Sequence, residues 1–207
     1  MANQYPLRER RKAATRRELI RSANELFALK GYEQTTLEEI AAHAGLHVQT
    51  LYRHFANKVE LATASDVEAL DRFRVAIRSS ERTDSTFQFW REWVRDAVTQ
   101  ATASDGGQLY REFLHVQWGP PLIPSQLIRN AQGYEDLLAE SLTRDFKRSL
   151  QKKGIAPSRM AAIALLGANG HVLRRYAQNE GVDLVAESVR AVDGVESLFK
   201  PYLKVSG

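Results

Sequence analysis

The stretch Thr36–Phe55, TLEEIAAHAGLHVQTLYRHF, leaves the chain little freedom in how it folds. Thr36 followed by Glu39 is a capping box and predicts a helix opening at Leu37. Leu37, Ile40, Ala41 and Ala44 then recur at helical spacing. Gly45 stands where that helix must stop, and glycine adopts the left-handed conformation that a sharp turn needs. A second short helix is predicted from Val48 to His54, with Val48, Leu51, Tyr52 and Phe55 at its apolar or aromatic positions. Two helices joined by a tight glycine turn make a helix-turn-helix, whose second helix can enter the DNA major groove. The spacing alone also fits a plain helical hairpin inside an all-α core.

Residue identities narrow the choice. The chain carries Gly31-Tyr32, Thr35-Thr36, Ile40-Ala41, Ala44-Gly45, the run Thr50-Leu51-Tyr52-Arg53-His54-Phe55, and Lys58. Over roughly its first third, it resembles the TetR family of transcriptional regulators. The resemblance implies an all-α fold: a three-helix DNA-binding head over residues 1–56 and a larger six-helix ligand-binding and dimerisation domain over residues 57–207. It also implies roles within the motif. Val48, Gln49 and Thr50 are expected at base edges, where Gln can bond adenine bidentately and the Val and Thr methyl groups can meet thymine methyls. Tyr52 and His54 are expected on phosphates, with Arg53 in the same DNA-binding set, and Lys58 matches the family's phosphate-binding lysine. Thr35 and Thr36 are expected to offer hydroxyl and backbone N–H groups to a phosphate at a helix start. His47 occupies an N-cap position where the family usually has a better cap such as Ser. Either it touches DNA or it is a tolerated substitution.

Charge agrees with this placement. Residues 1–58 hold ten Lys and Arg against six Asp and Glu, and the remainder holds nineteen of each, so the whole net +4 lies on the motif-bearing segment. That is the footprint of a phosphate-binding surface, although most charge runs are simply solvated faces. The densest part is Arg8, Arg10, Arg11, Lys12, Arg16, Arg17 and Arg21, leading into a helix that runs to about Lys30. It reads either as an arm on the DNA or as a solubilising tail.

The rest of the chain reads as helices separated by turn signals. They are expected at about Asn57–Ser79, Ser85–Thr102, Gln108–Trp118, Ser125–Lys153, Ser158–Glu180 and Asp183–Leu203. Residues 161–170, AAIALLGANG, are crowded with small residues that permit close helix approach. With Val185, Val189, Val192, Phe199 and Tyr202 of the final helix they suggest the symmetric interface through which the family dimerises. Intrachain packing is the alternative. Trp90, Trp93, Phe113, His115, Trp118, Tyr134, Leu138 and His171 are the expected lining of a mostly apolar effector pocket, or else ordinary core residues.

Composition excludes several other classes. Hydrophobic residues make up 43% and charged residues 26%, as in an ordinary globular protein. With no cysteine, thiolate nucleophiles, disulfides and Cys-based zinc sites are out. No glycine-rich phosphate loop, HExxH or paired-carboxylate constellation points to an enzyme, and no cofactor or metal is expected. No run is long and apolar enough for a membrane, and no secretory signal opens the chain, so a cytoplasmic location is expected. The functional expectation is a repressor, released from palindromic double-stranded DNA by a small hydrophobic effector and working as a homodimer. The alternative is a helical protein-interaction module whose basic surface binds nucleic acid without specificity.

Overall fold

The structure, a computed structural model, describes residues 5–103, 107–117, 124–147, 156–178 and 181–204. Helix α1 (Tyr5–Lys30) is followed by α2 (Leu37–His43), α3 (Val48–His54) and α4 (Lys58–Ile77). Then come α5 (Thr86–Ala101), α6 (Gln108–Gln117), α7 (Pro124–Asp145), α8 (Pro157–Gln178) and α9 (Leu184–Phe199), closed by a 3-10 turn at Lys200–Tyr202. Among the described residues the only extended pairing is an isolated antiparallel bridge between Phe146 and Leu203. No helix among them is long and apolar enough to cross a membrane.

Two hydrophobic cores organise these helices. The head core gathers Leu19, Ile20, Ala23 and Phe27 of α1 around Ile40, Ala41, Leu51 and Phe55, and it includes Leu61 and Ala64 of α4. The body core begins on the same helix at Leu70, Phe73 and Ile77 and continues through α5 to α9. The division expected between residues 56 and 57 thus moves into α4, because the first turns of that helix are needed to close the head. Helix α1 packs on α2, α4 and also α6, so the head meets the body at two places. Arg16 ties one of them: its Nε donates to Glu68 Oε1 of α4 at 2.9 Å and its Nη1 to the carbonyl of His54 at 3.2 Å.

Helix ends follow local chemistry. Asn57, Ser85 and Asp183 cap α4, α5 and α9 by accepting from the backbone N–H of Glu60, Gln88 and Ala186. Two helices stop earlier than the sequence suggests. Helix α7 ends at Asp145 rather than near Lys153, because Phe146 and Lys147 turn out to pair with the C-terminal segment: Lys147 N–H donates to Tyr202 O at 3.0 Å, and Lys204 N–H to Asp145 O at 2.8 Å. Residues 148–153 lie outside the described residues. Helix α9 ends at Phe199, where Pro201 imposes the 3-10 turn.

The small-residue segment of α8 divides by face. Ala161, Ala162 and Leu165 are buried in the body core, whereas Met160, Ile163 and Gly167 face outward. On α9 the inward row is Leu184, Ser188, Val192 and Val195; Val185 and Val189 are only half-buried.

Phe73 is the hub of the body. Its ring centroid lies 5.7 Å from that of Phe89, 5.5 Å from Trp90, 5.1 Å from Trp93 and 4.8 Å from Tyr134. Phe73→Ala is expected to cost about 3–5 kcal/mol, read as a fall in the urea midpoint at constant slope.

Candidate nucleic-acid interface and effector cavity

The turn between α2 and α3 is set by one residue. Gly45 has φ 68°, and the chain reverses there through two bonds, Leu46 N–H to Ala41 O at 2.8 Å and Gly45 N–H to Ala42 O at 3.0 Å. This is a Schellman closure, which satisfies the last carbonyls of α2 and requires the left-handed conformation. At the other end of α2 the capping box is complete: Thr36 Oγ1 accepts from Glu39 N–H at 3.1 Å, and Glu39 Oε2 accepts from Thr36 N–H at 3.0 Å.

Helix α3 buries Leu51, with Phe55 just beyond it, and turns its other side to solvent. His47, Gln49, Tyr52 and Arg53 are exposed, Tyr52 to 51%. Val48, Thr50 and His54 are half-buried at the edge of that face. His47 makes no side-chain cap bond, so α3 opens with its first N–H groups unserved by a side chain. Lys58, at the first turn of α4, lies with Nζ 4.2 Å from the Tyr32 ring centroid and 3.5 Å from Glu33 O.

Thr35 differs from the expectation. It is 1% exposed, and its hydroxyl donates inward to Gly31 O at 2.8 Å and Leu26 O at 3.3 Å. That hydroxyl locks the α1–α2 loop and is not presented to a phosphate. Thr36 is exposed; its N–H is taken by Glu39 and its Oγ1 accepts the cap bond, so its O–H is the donor left to offer.

The surroundings are cationic. Burial comes first, then the charges of Lys12, Arg16 and Arg53, in holding the His54 imidazole below its usual range, so it is neutral at neutral pH. Arg8, Arg10, Arg11, Lys12 and Arg17 are all exposed on α1, with no ion pair among the described residues. Because α1 is helical from Tyr5, this basic run is a rigid projection and neither a loose arm nor a tail. Arg16 behaves otherwise. Its guanidinium lies 4.3 Å from the Phe55 ring centroid and serves as a strut.

A second site lies in the body. A 210 Å³ cavity is bordered by Trp90, Trp93, Tyr110, Tyr134, Asn169 and Leu173. A 490 Å³ cavity shares Tyr110 and Leu173 with it and is bordered by Asn24, Asp66, Arg72 and Phe113. Of the residues expected to line a pocket, the structure brings together Trp90, Trp93, Tyr134 and Phe113. Leu138 is fully buried in the body core and borders neither cavity. His115 and His171 are exposed, each one step around its helix from a buried neighbour, Leu114 and Val172. Trp118 lies outside the described residues.

Tyr110, Asn24, Asn169 and Asp66 are additions. Asp66 was legible in principle: four and seven residues before Leu70 and Phe73, it occupies the apolar stripe of α4. Burial alone raises its carboxyl from 3.8 to about 6. Burial, then the Asp66 charge, pushes Tyr134 up to about 12 and raises Tyr110 as well.

Residues 19–64 match the family model of bacterial regulatory proteins of the tetR family. That match covers the helix-turn-helix segment and the helix turns that pack against it. The matched segment opens at Leu19 and closes at Ala64, the first and last residues of the head core. The chain is similar to the HTH-type transcriptional regulator TcmR of Streptomyces glaucescens, 48% identical over 65 residues, covering 31% of this chain and 28% of that protein. It is also similar to the HTH-type transcriptional activator FasR of Mycolicibacterium smegmatis, 35% identical over 81 residues, covering 39% of this chain and 35% of that protein. The matches thus span about a third of the curated relatives' lengths. Similarity in fold extends further. SmeT, the repressor of the Stenotrophomonas maltophilia multidrug efflux pump SmeDEF, in its triclosan complex superposes with a TM-score of 0.70 at 19% identity, over 93% of each chain.

The raised carboxyl has a stability consequence. Its folded value lies above its unfolded one, so the penalty of burying the charge is fully present above about pH 6, shrinks as pH falls from there, and is gone below 3.8. Asp66→Asn is expected to stabilise the protein by about 2–3 kcal/mol at pH 7.5, with the difference from wild type closing by about pH 4, read by urea melts across pH.

Proposed function

We propose that the chain is a DNA-binding transcriptional regulator, a homodimer that leaves a palindromic operator when a small hydrophobic effector enters its body. The observation that carries the reading is the exposed face of α3, His47, Gln49, Tyr52 and Arg53, beside the unpaired cations of α1. Such a face offers hydrogen-bond donors to base edges and charge to phosphates. Gln49 and Thr50 supply base readout, and Tyr52, His54 and Lys58 position the head on the backbone. The cytoplasm is where such a protein would work. Repression is favoured by the likeness to SmeT, itself a repressor held with triclosan, whereas FasR, similar over the head, is an activator.

Dimerisation is supported by the outer face of α8 and α9. Ile163 is 47% exposed and Leu198 73%, and a methyl group placed on Gly167 or Gly194 would meet nothing within 4 Å. Apolar residues around small ones allow two helix pairs to approach closely about a twofold axis. The two α3 helices of such a dimer would then read half-sites spaced by whole helical turns.

Binding to the DNA flanking its own gene, followed by fluorescence anisotropy across a salt series with random duplex as competitor, tests the proposal. Tight, competitor-resistant binding to one palindromic segment is expected. Equal, salt-labile binding to every duplex would leave only a non-specific basic surface. Gln49→Ala should relax the preference at one position per half-site by about 1–3 kcal/mol, and Lys58→Ala should lower the logarithmic salt slope by about one per head without changing the preferred sequence. Ile163→Glu should yield monomers in analytical ultracentrifugation and weaken operator binding about 100-fold, because the second head no longer adds avidity.

A further inference from the structure

The two adjoining cavities carry unbalanced polar groups. Asp66 makes no hydrogen bond or ion pair among the described residues, although it is half-buried, in helical phase with the buried Leu70 and Phe73 of α4. Asn24, from α1 in the head, donates its amide N–H to Ser65 Oγ at 3.1 Å and leaves its buried Oδ1 without a donor. Asn169 Oδ1, in the smaller cavity, is likewise buried without a donor. Against these acceptors stands one buried donor lacking an acceptor, Nε1 of Trp90, a residue only 3% exposed. Apart from Ser65, the exposed Arg72 and the hydroxyls of Tyr110 and Tyr134, the rest of the lining is aromatic or aliphatic.

A carboxylate held largely out of water without a partner is costly, and so is a buried amide oxygen. A ligand that supplies N–H donors and positive charge removes both costs, and aromatic faces add cation–π attraction. An anion would gain Arg72 at the mouth but would bring its charge beside Asp66. We propose that the paired cavities take an aromatic amine, its protonated nitrogen held at Asp66 with Asn24 Oδ1 beside it and its ring system against Trp90, Trp93 and Tyr134. Tyr110 and Leu173 line both cavities and form the wall they have in common. This assignment rests on the regulator reading and names the chemical class of its effector. It also gives the effector a direct hold on the head: Asn24 belongs to α1 and Asp66 to α4, so a bound ammonium bridges two of the helices that enclose the head core.

The test is calorimetric titration of the full-length protein at pH 7.5 with three matched probes: 1-naphthylmethylamine, 1-naphthylmethanol and 1-naphthoate. The amine is expected to bind at least about tenfold more tightly than the alcohol, and Asp66→Asn is expected to bring the two within about threefold while retaining the alcohol. The assignment is overturned if the alcohol matches the amine, if naphthoate binds best, if the preference survives Asp66→Asn, or if none of the three binds. DNA binding measured without any probe separates this from the regulator reading. Intact operator binding beside a failed amine preference sinks the ligand class alone, whereas absent operator binding sinks the regulator reading whatever the probes do.

Discussion

Helix α4 belongs to two hydrophobic cores at once, and the remaining architecture depends on that sharing. Leu61 and Ala64 close the head, while Leu70, Phe73 and Ile77 anchor the body, with about two turns of helix between them. A head of one long helix and two short ones buries too little surface to be robust alone. Borrowing the first turns of α4 completes its core, and the same backbone hydrogen-bond ladder then makes the head an extension of the body. The contact of α1 with α6 and the Arg16–Glu68 pair add a second joint. Any rearrangement of side chains around Phe73 is therefore delivered to the head through rigid elements and not through a flexible linker.

The helix-turn-helix was legible in the sequence because its determinants are local. A capping box, a glycine in the left-handed region and a four-residue apolar spacing act over single turns, and each is present where the residues alone suggest. What could not be read depends on partners distant in the chain. Thr35 looks like a phosphate contact until Leu26 and Gly31 claim its hydroxyl. Arg16 looks like one more cation of a basic run until Glu68, fifty-two residues away, fixes it as a strut. The early end of α7 follows from pairing with residues near the C-terminus, which no window around Asp145 contains. His115 and His171 fail as pocket residues for a simpler reason: a one-residue error in helical phase turns a side chain through about 100°.

The cavity residues illustrate a related point. Aromatic residues in the middle helices announce a core, and most of them serve one; the polar residues among them carry the chemical information. Asp66 is the clearest case, an acidic residue on an apolar stripe, kept where its ionisation is penalised. Natural cores rarely tolerate such a group without a compensating role. Together with Asn24 and Asn169, it gives the space between head and body a chemical preference that volume and apolar lining alone would not.

Coupling between body and head depends on the rigidity of the α4 connection. The chain has no cysteine, so Gln34→Cys in the head and Gln100→Cys at the end of α5, both exposed positions, can be spin-labelled without background. Pulsed electron paramagnetic resonance on the doubly labelled chain, diluted with unlabelled protein, measures the head-to-body distance directly. A shared helix predicts one narrow distance population in the free protein. A broad or multiply populated distribution would mean that the head swings independently of the body, and the coupling described above would be wrong.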